Sequence, residues 1–405
     1  MADTKYDVEQ ITEQVKILLE AGCARQFKVI AEQLAMPETS LRRILDGKLP
    51  EVESVEVEAP IVSQIVALLR DSPRTRTEIA DELDIGPSRV ESLIESMVAS
   101  GHYDIQIVEK KVVLPDVPSP PPRLDYIWPG GGRVTFGHCS DLHYGSIFHQ
   151  STALHHFAHE AVETGTKYMI VSGDITAGTK MYKGQEQDLY AMGADEQVDA
   201  ALNGIPRIAG LTWLLQGGNH DESFFKEAGT NVVKRICEDR SDCVYVGFTK
   251  CDVPVCAGKH IRLYHPSGGM PYAKSYRGQK LAEDTTKDWM TDAFSENEVS
   301  SIIALQWGHT HYKDWFVHGP MQVFNPGCFE GQNSYGARKA LHPEIGGVTS
   351  TYDISEEGWV RKSNLTWYHY RPAENDYRPV MRQQVFSRDV QIEPLYSWAD
   401  LEGGN

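Results

Sequence analysis

The chain has 405 residues, of which 41% are hydrophobic and 24% charged, and its formal net charge is −18. That length suggests two or three domains with room for a buried core, and the composition excludes a fibrous or wholly disordered chain. No apolar run approaches the ~20 residues that cross a bilayer. The polar, acidic start Met1-Ala2-Asp3-Thr4-Lys5 shows no secretory signal, so no membrane association is expected. Seven cysteines without a C-x-x-C pair suit a reducing, cytoplasmic setting better than a disulfide framework. Neither residues 1–123 nor the remainder is net basic, so any grip on nucleic acid has to come from local patches or bound metal.

In chain order, apolar residues recur at helical spacing from Val8 to Leu19, and further helices are expected at Phe27–Leu34 and Thr39–Leu49. A second unit begins near Ile61. Its first helix carries Ile61, Ile65, Leu68 and Leu69 on one face. A helix over Thr75–Leu83, a turn at Ile85-Gly86-Pro87-Ser88 and a third helix over Ser88–Ser100 follow. Ser88 is the expected N-cap, with Glu91 three residues on. Tyr103–Ile107 and Lys111–Leu114 alternate like a short hairpin turning at Glu109-Lys110. The pattern Ile79-Ala80-x-x-Leu83-x-Ile85-x-x-Ser88-x-Val90 resembles a winged helix-turn-helix, and residues 27–47 resemble a second helix-turn-helix. These resemblances imply DNA binding, with Arg89 or Arg42-Arg43 on the reading helices and Lys110-Lys111 in the wing. A protein-docking or dimerisation module is the alternative. The organisation expected is therefore a helical region over 1–58, a winged-helix-like domain over 59–114, a Pro/Gly-rich linker over 115–132, a catalytic domain over 133–372 and a polar tail over 373–405.

From Arg133 onward short apolar runs alternate with helical stretches, which is an α/β pattern. Strands are expected at Arg133–Cys139, Lys167–Ser172 and Leu211–Leu215, with helices near Thr152–Glu163, Gln187–Leu202 and Phe224–Cys237. Strand-rich runs follow at Val244–Val246, Ile261–Tyr264, Ile302–Leu305, Gln322–Phe324, Gly347–Asp353 and Trp359–Trp367.

Five short motifs stand at the ends of these runs: Asp141-Leu142-His143, Gly173-Asp174, Gly218-Asn219-His220-Asp221, His265 and Gly308-His309-Thr310-His311. In an α/β fold, groups at the carboxyl ends of strands converge. The residue types suit a two-metal centre. Asp141 and His143, and likewise His309 and His311, are two apart and share one side of an extended chain. Asp174 suits a bridge, because its two oxygens can each take one ion, and Asn219 supplies a neutral oxygen. His265 is preferred over His260 because it ends an apolar run and precedes a loop. Two divalent ions less the charges of Asp141 and Asp174 leave about +2, enough to attract a phosphate ester into an acidic protein. A water shared by two ions gives a hydroxide nucleophile near neutral pH. Imidazole and oxygen ligands without thiolate suit Mn, Fe or Zn. His220 is read as the group that stabilises the transition state or protonates the leaving oxygen, with Asp221 holding its imidazole.

D-x-H, G-D, G-N-H-D, a single His and G-H-x-H, in this order over about residues 133–370, resemble the calcineurin-like metallophosphoesterase superfamily. The resemblance implies a β-sandwich flanked by helices. It implies one metal on Asp141, His143, Asp174 and His311 and a second on Asp174, Asn219, His265 and His309, with Mn the favoured ion and His220 the catalytic histidine. The protein Ser/Thr phosphatase pattern is absent, since Gly173-Asp174 lacks the following Asp-Arg pair and Asp221 stands where those enzymes have Glu. Ser140 to Gly145 with G-N-H-D is more similar to SbcD-type DNA exonucleases. Tyr182-Lys183-Gly184-Gln185-Glu186, with Glu196-Gln197, resembles the exonuclease subunit of archaeal family D DNA polymerase, which would carry an OB-fold where this chain reads as helical. The function expected is a Mn-dependent phosphodiesterase acting on DNA as a 3′–5′ exonuclease. A small-molecule phosphodiesterase or phosphatase with a docking module is one alternative. A DNA-binding regulator with a vestigial phosphoesterase domain is another.

Overall fold

In a computed structural model of the protein, the described residues are 58–100, 103–115, 132–256, 258–271, 273–291, 301–319, 321–356 and 358–377, with positions 15, 41, 45, 118, 121, 124, 125, 127 and 128. Apart from those isolated positions, the helices expected before residue 50 and the tail beyond 377 lie outside the described residues. The chain divides into two compact units, one of residues 1–93 with 109–112 and one of 94–108 with 113–405.

The first region forms helix α1 (Glu58–Asp71), strand β1 (Arg74–Thr75) and helices α2 (Arg76–Leu83) and α3 (Pro87–Ala99). Thr75 caps α2. Its hydroxyl accepts from the Glu78 backbone N–H while the Glu78 carboxylate takes the Thr75 N–H, a reciprocal capping box. The sequence expectation for α3 needs correction. The Gly86 carbonyl accepts from the N–H groups of Arg89 and Val90, so Gly86 precedes the helix and Pro87 opens it. Proline suits that first position because its missing N–H would have no helical partner there; Ser88 is inside the helix and is not the cap. Strands β2 (Gln106–Val108) and β3 (Lys111–Val113) flank Glu109 and Lys110, whose φ values of 50° and 70° are those of a tight hairpin turn.

The larger unit contains two sheets. In one, β4 (Gly132–Cys139), β5 (Tyr168–Ser172), β6 (Thr212–Gly217) and β7 (Cys243–Phe248) run parallel. Antiparallel β13 (Val348–Ile354) and β14 (Val360–Trp367) extend that sheet beyond β4 in the order β14-β13-β4-β5-β6-β7. The other sheet has the order β11-β12-β10-β9-β8, built from β8 (Lys250–Cys256), β9 (Lys259–Tyr264), β10 (Ile302–Trp307), β11 (Lys313–His318) and β12 (Met321–Pro326). Alternate residues of the central strands face opposite ways. Phe136, Ile170 and Leu214 join Val253, Ile261, Leu263 and Phe324 in a core between the sheets. Cys139, Met169, Val171, Trp213 and Leu215 point the other way, onto α4 (Ser151–Glu163), α5 (Ala194–Gly204) and the helices that follow. Burial on both faces explains why these strands read as continuous apolar runs. A helix on the far side of the second sheet, α8 (Tyr276–Thr291), completes a helix-flanked sandwich, as the sequence resemblance implies.

Two helical expectations are revised. The stretch expected to be helical from Gln187 becomes a helix only at Ala194, after a 3₁₀ turn at Gln185–Asp188. The single helix expected over Phe224–Cys237 is two, α6 (Asn219–Ala228) and α7 (Val232–Asp239). Gly229, at φ 69°, ends the first, and the Asn231 side chain caps the second through the Lys234 N–H. Within the stretch expected to be a linker, Ile127 and Trp128 donate their N–H groups to the carbonyls of Pro254 and Val255 on β8. At the other end, Ala373 N–H donates to Gln150, and buried Asp376 takes the Thr152 N–H at 2.9 Å. No helix among the described residues is long and apolar enough to cross a membrane.

Candidate metal centre

Every motif residue sits just past the carboxyl end of a strand. Asp141 and His143 follow β4, Asp174 follows β5, Asn219 and His220 open α6 after β6, His265 follows β9, and His309 and His311 follow β10. β4, β5 and β6 are parallel in one sheet and β9 and β10 are parallel in the other, so both sheets present these ends on one side. The turns are laced together. Asp141 N–H donates to the Gly173 carbonyl, and Leu142 and His143 N–H groups both donate to the Asp174 carbonyl. A Cβ on Gly173, Gly218 or Gly308 would collide with His265, Asp174 or Ser140 respectively, so only glycine lets the chains approach this closely.

Backbone strain concentrates here. Asp141, His143, Asp174, His309 and His311 all have φ between 52° and 83°, the left-handed region that non-glycine residues rarely adopt. These are five of the seven expected ligands.

The side chains gather in two overlapping groups around Asp174. His143 Nε2 lies 3.1 Å from His311 Nε2, and His311 Nε2 lies 3.3 Å from Asp141 Oδ1. Asp174 Oδ2 lies 3.8 Å from His143 Nε2 and 3.1 Å from His265 Nε2. Asn219 Oδ1 stands 3.2 Å from His265 Nε2 and 2.8 Å from His309 Nδ1. Asp174 thus occupies the place expected of a bridge.

The tautomers show what the group is built to hold. His265 Nδ1 meets the Ser172 carbonyl at 2.6 Å and His309 Nε2 meets the Gly268 carbonyl at 2.6 Å. A carbonyl only accepts, so those nitrogens carry the protons, and the lone pairs of His265 Nε2 and His309 Nδ1 point inward. There they face the Asn219 oxygen, another lone pair. Acceptors facing acceptors in a buried pocket call for a cation, and outward hydrogen bonds that fix ring orientation are typical of metal-ligating histidines. The donor set therefore fits two divalent ions. Without them, protons play their part. Burial alone would pull His265 down, yet Asp174 and Asp141 push it up to about 9. Burial would push the Asp141 carboxyl up, yet His311 and His143 hold it well below the usual carboxylate range.

His220 lies at the edge of this group, its Nε2 3.8 Å from Asp174 Oδ2. Its imidazole is oriented by the Ala177 carbonyl, which accepts from Nδ1 at 2.6 Å. The expectation that Asp221 holds this ring is corrected. Asp221 is fully buried and accepts from the N–H groups of Gly218, Ile175 and Thr176 and from the Thr176 hydroxyl, at 2.7–3.0 Å. It clamps the turn carrying Asp174 to the turn carrying Asn219. Burial and the nearby Asp174 charge push its carboxyl up to about 6.

Sequence reasoning missed two supports. The single Ser140 hydroxyl proton lies within hydrogen-bond reach of two acceptors, Asp141 Oδ2 at 2.5 Å and the Ser172 carbonyl at 2.8 Å. Glu330, in the turn that follows β12, places Oε2 3.8 Å from His143 Nε2. Lys274 is paired with Glu344, while Arg338 and Lys339 are exposed. His138 and His149 are structural, hydrogen-bonded within the core. Burial pushes the Cys139 thiol up, which disfavours a nucleophilic thiolate.

The sequence model described as calcineurin-like phosphoesterase matches residues 134–338, half of the chain, and the chain belongs to that family of phosphoester hydrolases. Members usually bind divalent metals. The chain is 24% identical over 208 residues to the DNA polymerase II small subunit of Methanocaldococcus jannaschii, covering 45% of this chain and 34% of that one. It is 20% identical over 233 residues to the protein of that name from Halobacterium salinarum, covering 51% and 46%. The chain therefore spans less than half the length of these relatives. Among solved structures, Vps29 from Entamoeba histolytica in complex with zinc overlaps at 16% identity and a TM-score of 0.29, covering 57% of this chain and 98% of that one.

Proposed function

We propose that the chain is a dinuclear-metal phosphodiesterase acting on DNA, in the manner of a 3′–5′ exonuclease. The observation that carries the metal reading is the inward-facing lone pairs of His265, His309 and Asn219 beside the carboxylate of Asp174. In this reading Asp141, His143, Asp174 and His311 hold one ion, and Asp174, Asn219, His265 and His309 hold the other, with Mn the favoured metal. Bound, the ions would supply Lewis-acid stabilisation of phosphate oxygens and an acidified water.

The chain's own residues do the rest. His220 Nδ1–H is anchored on Ala177, so Nε2 is the nitrogen presented to the pocket and the one that exchanges a proton with the leaving oxygen. The first turn of α6, which carries Asn219 and His220, aims backbone N–H groups at the site, and His220 N–H donates to Asp174 Oδ1 at 2.9 Å. That helix terminus favours an anionic ester.

DNA as substrate draws support from the archaeal polymerase-subunit relatives and from the elements before residue 114, read as a winged-helix-like module for DNA or for a protein partner or second copy. A labelled single-stranded oligonucleotide incubated with Mn and the protein should shorten from its 3′ end, and EDTA should stop it. Intact oligonucleotide alongside cleavage of small phosphodiesters would remove the DNA assignment. The net charge of −18 favours that second reading, a small-molecule phosphodiesterase with a docking module. A vestigial domain is disfavoured, since all seven expected ligands remain and converge.

A further inference from the structure

Glu330 is 3% exposed and lies at the inner edge of the candidate metal centre. Its Oε1 accepts from the Ser146 hydroxyl at 2.7 Å and its Oε2 from the Asn333 amide at 3.0 Å. Both donors are neutral. Among the described residues no lysine or arginine pairs with it; its cationic neighbours are imidazoles, His143 Nε2 at 3.8 Å and His311 Nδ1 at 3.7 Å. A carboxylate this buried is costly without a compensating positive charge. Its two hydrogen bonds hold it at a fixed place, and what it faces is the pair of histidines assigned to the first ion.

We infer that Glu330 is a third, non-ligating carboxylate that sets the charge of the centre and thereby selects phosphodiesters over phosphomonoesters. This rests on the dinuclear reading above. Two divalent ions with Asp141 and Asp174 make the centre positive. The Glu330 carboxylate lowers that charge by one, which weakens attraction for a monoester carrying nearly two negative charges more than for a diester carrying one. Glu330 acts on the substrate and on the ions through this field, from 3.7–3.8 Å beyond His311 Nδ1 and His143 Nε2. It is a positioning and specificity residue and takes no part in the bond making or breaking.

The test uses the full chain and inorganic phosphate, a dianion-rich probe whose binding needs no turnover. Calorimetric titration of the Mn-loaded protein should show Glu330→Gln binding phosphate about tenfold tighter than wild type, as expected for one charge removed from a partly buried site. Mn titration of metal-free protein should show weaker uptake by the same variant, by about tenfold. Activity on bis(p-nitrophenyl) phosphate relative to p-nitrophenyl phosphate should fall about tenfold. Glu330→Asp keeps the charge and should stay close to wild type in phosphate affinity, and it remains a valid reading if Glu330→Gln fails to fold. Unchanged phosphate affinity in Glu330→Gln, or an equal shift in Glu330→Asp, overturns the inference. If the wild-type chain cleaves no ester, the proposed activity fails while the phosphate and Mn titrations still decide the role of Glu330. If it takes up no Mn, both fall.

Discussion

Two buried histidine networks lie within a few residues of each other along β4, and they differ in kind. His138, between the sheets, has both ring nitrogens satisfied: Nδ1 meets Gln306 Oε1 at 2.7 Å and Nε2 meets the Ser350 hydroxyl at 2.6 Å. Gln306 in turn donates to the Cys139 carbonyl and the Ser172 hydroxyl. Every donor there finds an acceptor, and burial pulls His138 down to about 4, so it stays neutral. At the strand ends, acceptors meet acceptors and carboxylates lie among imidazoles. A closed network of neutral partners serves the fold. An open one, whose lone pairs converge, needs a cation to complete it.

That contrast can be broken by substitution. Asp174→Ala removes the shared carboxylate and should abolish stable uptake of both ions, with turnover down on the order of a thousandfold or more; elemental analysis alongside kinetics checks this, and retention of two ions would break the contrast. His220→Ala should keep both ions yet lower turnover about 10²–10⁴-fold, so a variant at full speed would remove its proposed role. Asp221→Asn places an amide among four donors. It should cost about 3 kcal/mol of stability and lower activity with it. If denaturant unfolding shows wild-type stability, the clamp assigned to Asp221 is wrong. The smallest effect belongs to the closed network. His138→Leu should cost about 1–3 kcal/mol by stranding Ser350 and Gln306, with metal content untouched; loss of metal in that variant would blur the distinction.

The strand-end motifs were legible in the sequence because each pairs a ligand-type residue with a turn-forming neighbour, and the ends of parallel strands meet by topology. The left-handed backbone at Asp141, His143 and Asp174 was not, since nothing in those residue types announces it. The partner of Asp221 was misread because chain adjacency to His220 suggested a contact that the first turn of α6 directs elsewhere. Helix α8 escaped notice because its buried stripe is Gly278, Ala282 and Thr285, with Leu281 half-buried, too small and polar to give an apolar period. Glu330 belongs to none of the five motifs, and only the fold reveals that it is buried against His143.

The most direct measurement is the metal content of the purified chain after removal of bound metal, reconstitution with Mn and removal of excess ion. Two ions should be held per chain, and both should be lost together in Asp174→Ala. A wild-type chain that retains none would contradict the dinuclear reading.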